Sequence, residues 1–301
     1  MIMVAGEALI DFTPADVDGA QGYVPHPGGS PYNVAVGLGR QGVPVAFLGR
    51  ISSDHFGKLL RSHLIESQVA LEHVVTAAEP TTLAFVHAGS GEPEYSFYAD
   101  RTADRMLHPE DLSLLPDAAA LHLGSISLAL EPGASTLEGL MQREARRRVI
   151  SLDPNVRPGL IEDPEAYRAR FARWTELADI VKASAADIAW LHPGAAPETV
   201  AACWLAAGVA LVLVTSGAAG SFAFTAEAYA TAAAPRVIVA DTVGAGDAFT
   251  AGALAYLHDS SSLEREHLVA LSGEDLRALL EAANEIAAAT CTRPGAEPPW
   301  R

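Results

Sequence analysis

Residues 241–249 read DTVGAGDAF, and this stretch decides the fold and the chemistry that we expect of the chain. It follows a β-branched run at 237–239, which we predict as a strand, and precedes a helix of small residues predicted over about 248–257. A glycine-rich turn that opens a helix leaves backbone N–H groups without partners, and the helix dipole adds partial positive charge there. The stretch therefore predicts an anion-binding turn formed by Gly244, Ala245 and Gly246.

Asp247 lies in the first turn of that predicted helix. Its carboxylate could accept a proton from a hydroxyl while the N–H groups of the turn hold phosphoryl oxygens. An Asp in a first turn is also ordinary helix capping, and glycines after a strand often form no more than a tight turn. The order of strand, glycine turn, acid and small-residue helix favours the first interpretation, which is phosphoryl transfer to an alcohol.

Composition limits the classes of partner. The chain has 301 residues, half of them hydrophobic, which is enough for a large buried core. The 20 basic residues against 37 acidic ones give a net charge of −17, so we expect neither nucleic acid nor a membrane as a partner. Without a signal-like start or a long apolar run, the chain is predicted to be cytoplasmic. Cys203 and Cys291 suggest neither a disulfide framework nor a zinc site.

Short apolar runs alternate with helical patterns, which predicts β/α units around a mostly parallel sheet in a single domain over residues 1–301. Two regions, at about 12–26 and 74–100, look extended and contain turn residues at 18–19 and 89–91, so we predict a small antiparallel sheet that acts as a lid. The predicted strands of the main sheet span residues 2–10, 45–50, 119–123, 149–153, 179–182 and 210–215. The predicted helices span residues 31–41, 56–67, 133–147, 164–178, 185–191, 197–207 and 275–290.

Residues 27–33 read PGGSPYN and form a second informative segment. Gly28 and Gly29 let the backbone approach a ligand closely, and Pro31 starts a helix that would present the Asn33 amide at the same point. A hydroxyl-rich ligand fits this arrangement. Taken alone, a plain turn followed by a helix start explains the segment equally well.

Together the two segments resemble the ribokinase/PfkB family of sugar kinases, whose motifs are G-G-x-x-x-N and D-T-x-G-A-G-D-x-F. The resemblance spans residues 6–296 and implies a ribokinase-like α/β three-layer sandwich with a mostly parallel central sheet and a small β-sheet lid. It implies that Asp247 is the catalytic base and that the 244–246 turn is the anion hole. It also implies that Gly28, Gly29 and Asn33 bind sugar hydroxyls.

Two further segments resemble the fructokinase-like branch. The opening GEALID at 6–11 places Asp11 at the end of the first predicted strand, and the resemblance implies that its carboxylate holds sugar hydroxyls. The segment DPNVRP at 153–158 implies that Asn155 lies beside the substrate and that Arg157 pairs with the transferring phosphate. We place Phe97 of the predicted lid with the substrate as well.

The resemblance also implies ATP and Mg²⁺ as cofactors, K⁺ as a further ion, and a homodimer that forms through the lid. Asp187 stands where the family has a Glu that helps to organise magnesium, and a shorter acid could act through a water because Mg²⁺ keeps several of its waters. The residues matched to the nucleotide site are Lys182, Ser184, Thr215, Gly217, Gly220 and Asn284.

The choice of sugar rests on Asp100, which falls about where kinases of 2-keto-3-deoxygluconate have an Arg for the substrate carboxylate. An acid there would repel a carboxylate, which favours a neutral ketohexose, fructose first. A 2-keto-3-deoxygluconate kinase or another PfkB sugar kinase stays open as an alternative. A non-catalytic sugar- or nucleotide-binding regulator is disfavoured by the presence of Asp247, and a Rossmann dehydrogenase by the absence of G-x-G-x-x-G after the first strand.

Overall fold

Strands and helices alternate along most of the chain in the computed structural model, which describes residues 1–17, 20–87, 94–112, 115 and 117–301. The strands are β1 (Ile2–Ala5), β2 (Leu9–Val17), β3 (Ala20–Gly28), β4 (Val45–Ser52), β5 (Val69–Ala77), β6 (Thr82–His87), β7 (Glu94–Tyr98), β8 (Ala120–Gly124), β9 (Val149–Asp153), β10 (Ile180–Ser184), β11 (Leu211–Thr215), β12 (Ser221–Phe224) and β13 (Tyr229–Ala232). The α-helices are α1 (Ser30–Arg40), α2 (His55–Glu66), α3 (Gly133–Glu144), α4 (Pro164–Thr175), α5 (Ala185–Leu191), α6 (Pro197–Ala207), α7 (Ala245–Asp259), α8 (Arg265–Val269) and α9 (Gly273–Cys291).

A nine-stranded sheet forms the centre, in the order β13-β12-β11-β10-β9-β8-β1-β4-β5. The strands from β11 to β5 run parallel, and β12 and β13 extend the edge antiparallel. Most residues of the central strands are apolar on both faces, because helices cover both sides of a parallel sheet. Side chains of α1, α2, α7 and α9 fill one core, and side chains of α3 to α6 fill the other. The predicted α/β three-layer sandwich is thus confirmed.

A second, four-stranded sheet has the order β3-β2-β6-β7, with β2 parallel to β6 and both outer pairs antiparallel. The small sheet was predicted, but its bounds were partly wrong. Residues 74–77 belong to β5 of the large sheet, where Val74 pairs with Gly49. The predicted turns at 18–19 and 89–91 lie outside the described residues.

The predicted strand at 2–10 is divided in two. Gly6 has a φ of +153°, and a Cβ there would lie 2.5 Å from the Pro31 ring, so the backbone bends where it passes the start of α1. Residues from Leu9 onward consequently join the small sheet. Asp11 is therefore a residue of the small sheet, not the last residue of the first strand of the large sheet as predicted.

The strand predicted at 237–239 is absent from the structure, and Ile238 is 91% exposed. The amides of Ala240 and Asp241 donate to the carbonyl of Cys291, so the segment is attached to the end of α9 instead of to a neighbouring strand. The edge strand β13 and the short helix α8 were not among the predicted elements. Two predicted helices also end three residues early, at Glu144 and Thr175.

Helices α1 and α7 cross closely, and the segments at 27–33 and 241–249 lie at their starts. A Cβ on Gly37 would lie 2.6 Å from the Cβ of Ala251, so glycine allows the two backbones to approach. This contact brings the start of α1 and the start of α7 to the same edge of the large sheet, where the parallel strands end.

In the described part of the chain, no helix is long and apolar enough to cross a membrane.

Candidate active site

The glycine turn before α7 has the geometry expected of an anion site. Gly244 caps the helix with a φ of +75°, and a Cβ on it would lie 2.4 Å from that of Ala296, so only glycine fits. Helix α7 begins at Ala245, and the amides of its first turn, including those of Gly246 and Asp247, have no acceptor within the helix. These amides can donate hydrogen bonds to an anion at the mouth of the pocket.

The Asp247 carboxylate is buried beside this turn and is held by the first turn of α1. Its Oδ1 accepts from Ser30 Oγ at 2.7 Å, and its Oδ2 accepts from Asn33 Nδ2 at 2.8 Å. Asn155 Nδ2 lies 3.4 Å from Oδ1. Burial raises the pKa of Asp247, and the donors Asn33 and Ser30 oppose that rise. The carboxylate is therefore oriented by donors on both oxygens, and these donors favour its ionised form.

A pocket opens in front of Asp247, between the large and small sheets. Its walls come from β2, β7, the start of α1, and the segments after β8 and β9. It is lined by Glu7, Leu9, Asp11, Gly29, Ser30, Asn33, Tyr95, Phe97, Ser125, Ile126, Asn155, Arg157, Val243, Gly244 and Asp247.

Asp11 reaches this pocket from the small sheet. Among the described residues no hydrogen bond to its carboxylate is found, although the side chain is buried. Burial, and then the nearby charge of Asp247, raise the pKa of Asp11 to about 7. Gly28 lies on the neighbouring strand, and a Cβ there would be 2.1 Å from Asp11 Oδ2. Gly28 thus leaves the space that the carboxylate occupies.

Asn155 and Arg157 enter the pocket from the segment after β9. Asn155 has a φ of +36°, and its side-chain oxygen accepts from Arg157 Nη1 at 2.7 Å. The Arg157 guanidinium lies 5.7 Å from the centre of the Tyr95 ring, so it spans from the large sheet to the small one. Its charge lowers the pKa of Asp11 and of Asp247 against the effect of burial.

Lys182 lies behind the anion turn rather than in the pocket. Its ammonium pairs with Asp153 Oδ2 at 2.8 Å, and a Cβ on Gly246 would lie 3.0 Å from Lys182 Nζ. Both side chains are almost fully buried. Burial raises the pKa of Asp153 to about 6, and the Lys182 charge opposes that rise. The Lys182 ammonium therefore lies beneath the turn, with its charge balanced by Asp153.

Asp187 and Ser184 form a capping box at the start of α5. Asp187 Oδ2 accepts from the amide and the hydroxyl of Ser184, and Oδ1 accepts from the Val156 amide at 2.7 Å. The acid thereby connects α5 to the segment that carries Asn155 and Arg157. Among the described residues, no cluster of three or more His, Cys, Asp or Glu side chains could hold a metal ion.

The other residues matched to the nucleotide lie further along the same edge of the large sheet. Thr215 ends β11, and Gly217 is exposed in the turn that follows. Gly220 has a φ of +97°, and a Cβ there would be 2.2 Å from the Ala232 carbonyl. Asn284 Oδ1 accepts from Ser221 Oγ at 3.1 Å, so this amide stabilises the sheet edge. The structure does not bring these residues into the pocket around Asp247.

Sequence reasoning missed Glu7, Ser30 and Tyr95 as pocket residues. Glu7 and Ser30 lie inside the quoted motifs, but residue type and spacing alone gave them no role. The argument from Asp100 was wrong, because its side chain is 92% exposed beyond the end of β7 and does not line the pocket.

Comparisons with known proteins identify the family of this chain. The sequence matches the family described as pfkB family carbohydrate kinase over residues 1–301. It is 42% identical to a fructokinase of Rhizobium leguminosarum bv. trifolii over 279 residues, which is 92% of this chain and 86% of the relative. A fructokinase of Klebsiella pneumoniae is 37% identical over 263 residues, 85% of this chain and 84% of the relative.

Solved structures of two fructokinases resemble the fold. The Xylella fastidiosa enzyme with bound ATP gives a TM-score of 0.89 at 30% identity, with 98% of this chain and 93% of that one covered. The Vibrio cholerae O395 enzyme with fructose, ADP and calcium gives 0.86 at 28% identity, covering 98% and 94%. The sequence match over residues 1–301 and these relatives show that the chain belongs to the pfkB family of carbohydrate kinases.

Proposed function

We propose that this chain is a fructokinase, which transfers the γ-phosphoryl group of ATP to a hydroxyl of fructose. The single observation that carries the proposal is the buried Asp247 carboxylate at the amino end of α7, facing a pocket between two sheets. Relatives named fructokinase, one of them solved with fructose and ADP, support the choice of substrate.

Asp247 acts in this proposal as the general base. It accepts the proton of the attacking hydroxyl, while the amides of the 244–246 turn stabilise the charge on the transferring phosphoryl oxygens. Arg157 lines the same pocket and would pair with the phosphoryl group. The Lys182 ammonium, paired with Asp153, supports the turn from beneath.

The pocket favours a neutral sugar. Asp11 lies in its wall without a hydrogen bond from the described residues, and burial raises its pKa to about 7. Hydroxyl groups can donate to such a carboxyl, whereas the carboxylate of a keto acid would be repelled once it ionises. With Asp100 outside the pocket, the discrimination against a keto acid is assigned to Asp11.

ATP would lie along the sheet edge, from the anion turn past Ser184 to Thr215, Gly217 and Gly220, with Asn284 behind this edge. Mg²⁺ bound to the phosphates would neutralise their charge during transfer. The oxygens of Asp187 are occupied by hydrogen bonds, so a magnesium ion held by phosphates and waters fits better than one held directly by this acid. One relative was solved with potassium, which supports K⁺ as a further ion.

The small sheet acts in this proposal as a lid and as a dimer surface. Residues alternate between its faces, so Asp11 and Phe97 face the pocket while Phe12 and Phe85 stack on the other side at 4.7 Å. Tyr98, on that outer side, is 64% exposed. A second copy could cover this aromatic face, and sedimentation of the wild type against Tyr98→Glu tests the dimer.

A coupled assay of ADP release over a panel of sugars tests the proposal. We expect kcat/KM to be highest for fructose, lower for other neutral hexoses and lowest for 2-keto-3-deoxygluconate. Asp247→Asn serves as the inactive control for contaminating kinases. A higher kcat/KM for the keto acid would refute the choice of sugar and leave the kinase chemistry at Asp247 standing, whereas no ADP release with any sugar would refute the kinase itself.

A further inference from the structure

Ser30 is the first residue of α1 and contacts the carboxylate that we propose as the base. Its hydroxyl donates to Asp247 Oδ1 at 2.7 Å, across 217 residues of sequence. The side chain is buried, and its Oγ donates to no other group in the described structure. Asn33 donates to the other oxygen, so the first turn of α1 contributes one donor to each oxygen of the carboxylate.

The position of Ser30 is itself fixed from behind by Glu7. Glu7 Oε1 accepts from the Ser30 amide at 3.1 Å, and Oε2 accepts from the amide and hydroxyl of Ser127 at 3.2 and 2.6 Å. A Cβ on Gly29 would lie 2.7 Å from the Glu7 carbonyl, so the backbone before Ser30 is packed against Glu7. Glu7 is 1% exposed, which leaves Ser30 little freedom to move away from Asp247.

A base that serves proton transfer needs a fixed direction as well as a suitable proton affinity. A carboxylate in a first helical turn can rotate about two bonds, and donors on both oxygens remove that freedom. Hydrogen bonds from neutral donors also favour the ionised form of a carboxylate, which is the form that accepts a proton. The hydroxyl of Ser30 can do both, because it donates its single proton to Asp247.

We propose that Ser30, held by Glu7, is a positioning residue for phosphoryl transfer that orients the Asp247 carboxylate and favours its ionised form. The inference rests on the proposed role of Asp247 as the base. It does not depend on the identity of the sugar.

The charged and titratable groups around Asp247 come from several elements, so a pH test must separate their effects. Glu7 lies behind Ser30, and its own pKa of about 7 also affects the pH profile. The groups that act directly on Asp247, or on which it acts, are Asp11, Tyr95, Asp153, Arg157 and Lys182. All of them are present in both the wild type and a Ser30 variant, so the ratio of the two kcat values isolates the contribution of Ser30.

The test compares the kcat–pH profile of Ser30→Ala with that of the wild type, using the sugar that the wild type turns over fastest. We expect kcat on the plateau to fall by roughly tenfold or more, the scale of a hydrogen bond to a charged group. The KM values for sugar and ATP should change by less than about threefold. Because the lost donor favours the ionised carboxylate, the acid limb of the profile should move to higher pH.

Two further variants complete the test. Ser67→Ala is the matched control, since it removes a fully buried serine hydroxyl that accepts from Arg40 at the other end of α1. It should lower the melting temperature without changing the pH dependence of kcat. Ser30→Thr keeps a hydroxyl and should restore part of the loss.

The proposal is overturned if Ser30→Ala keeps the kcat of the wild type, or if the acid limb of its kcat–pH profile does not move. A rise in the sugar KM at unchanged kcat would also overturn it, because Ser30 would then act on the substrate and not on the base. If Ser30→Ala does not fold, Ser30→Cys gives the same test, since a thiol is of similar size and a poor donor. A wild type that prefers a sugar other than fructose would refute the substrate and leave this test intact.

Discussion

Asp11→Asn should make the ligand-free protein more stable at neutral pH while impairing sugar binding. The Asp11 carboxyl is buried without a hydrogen bond from the described residues, and its pKa rises from its ordinary value of 3.8 to about 7. Each pKa unit corresponds to about 1.4 kcal/mol, so ionising this group in the folded state costs up to about 4 kcal/mol. Asparagine carries no charge and avoids this cost.

The sign follows from proton binding. Between pH 3.8 and about 7 the folded state holds a proton on Asp11 that the unfolded state has lost, so stability falls as pH rises through this window. The wild type and Asp11→Asn should therefore have similar free energies of unfolding near pH 4. As pH rises, the free energy of unfolding of the variant should exceed that of the wild type, by up to about 4 kcal/mol above pH 7.

Denaturant unfolding of the ligand-free proteins at several pH values measures this difference. Asp16→Asn is the control, because Asp16 lies on the same strand with an exposed side chain. Saturating fructose should then stabilise the wild type more than Asp11→Asn, since sugar hydroxyls supply the hydrogen bonds that the carboxylate lacks. A difference between the two proteins that does not vary with pH would refute the reasoning from burial.

Three other predictions concern catalysis. Asp247→Asn should lower kcat by roughly 10²–10⁴-fold while the ATP Kd from equilibrium titration stays within about twofold, and a variant that keeps more than about a tenth of kcat would exclude Asp247 as the base. Excess chelator should abolish ADP release and added Mg²⁺ should restore it, so undiminished turnover in chelator would contradict the need for a divalent ion. Gly28→Ala places a Cβ 2.1 Å from Asp11 Oδ2 and should raise the sugar KM far more than the ATP KM in steady-state kinetics, and an unchanged sugar KM would show that Asp11 does not bind the sugar.

Local signals predicted the parts of the site whose geometry is local. The glycine turn and the first-turn acid at 244–247 need only a positive φ and a helix start, and both are visible in residue type. The same holds for Asn33, which follows a glycine pair and a proline at the start of α1.

Other features depend on contacts between distant segments, and these were predicted wrongly or missed. Gly6 was placed inside a strand because the residues around it are apolar, but the approach of α1 bends the chain at that point. Asp100 was placed in the pocket by alignment, whereas the end of β7 leaves it exposed. Glu7 and Ser30 went unnoticed because Glu7 contacts Ser127, 120 residues away, and Ser30 contacts Asp247, 217 residues away.

The contact between the first turns of α1 and α7 has a consequence for biosynthesis. Ser30 and Asn33 leave the ribosome long before Asp247, since 217 and 214 residues separate the partners. A growing chain can thus form much of the large sheet while its base and anion turn are still missing, and the apolar face that α7 and α9 later cover stays open to solvent. Such late, long-range closure favours slow folding and exposure to aggregation. Catalytic competence therefore cannot arise before residues 244–247 have been made and have reached the first turn of α1.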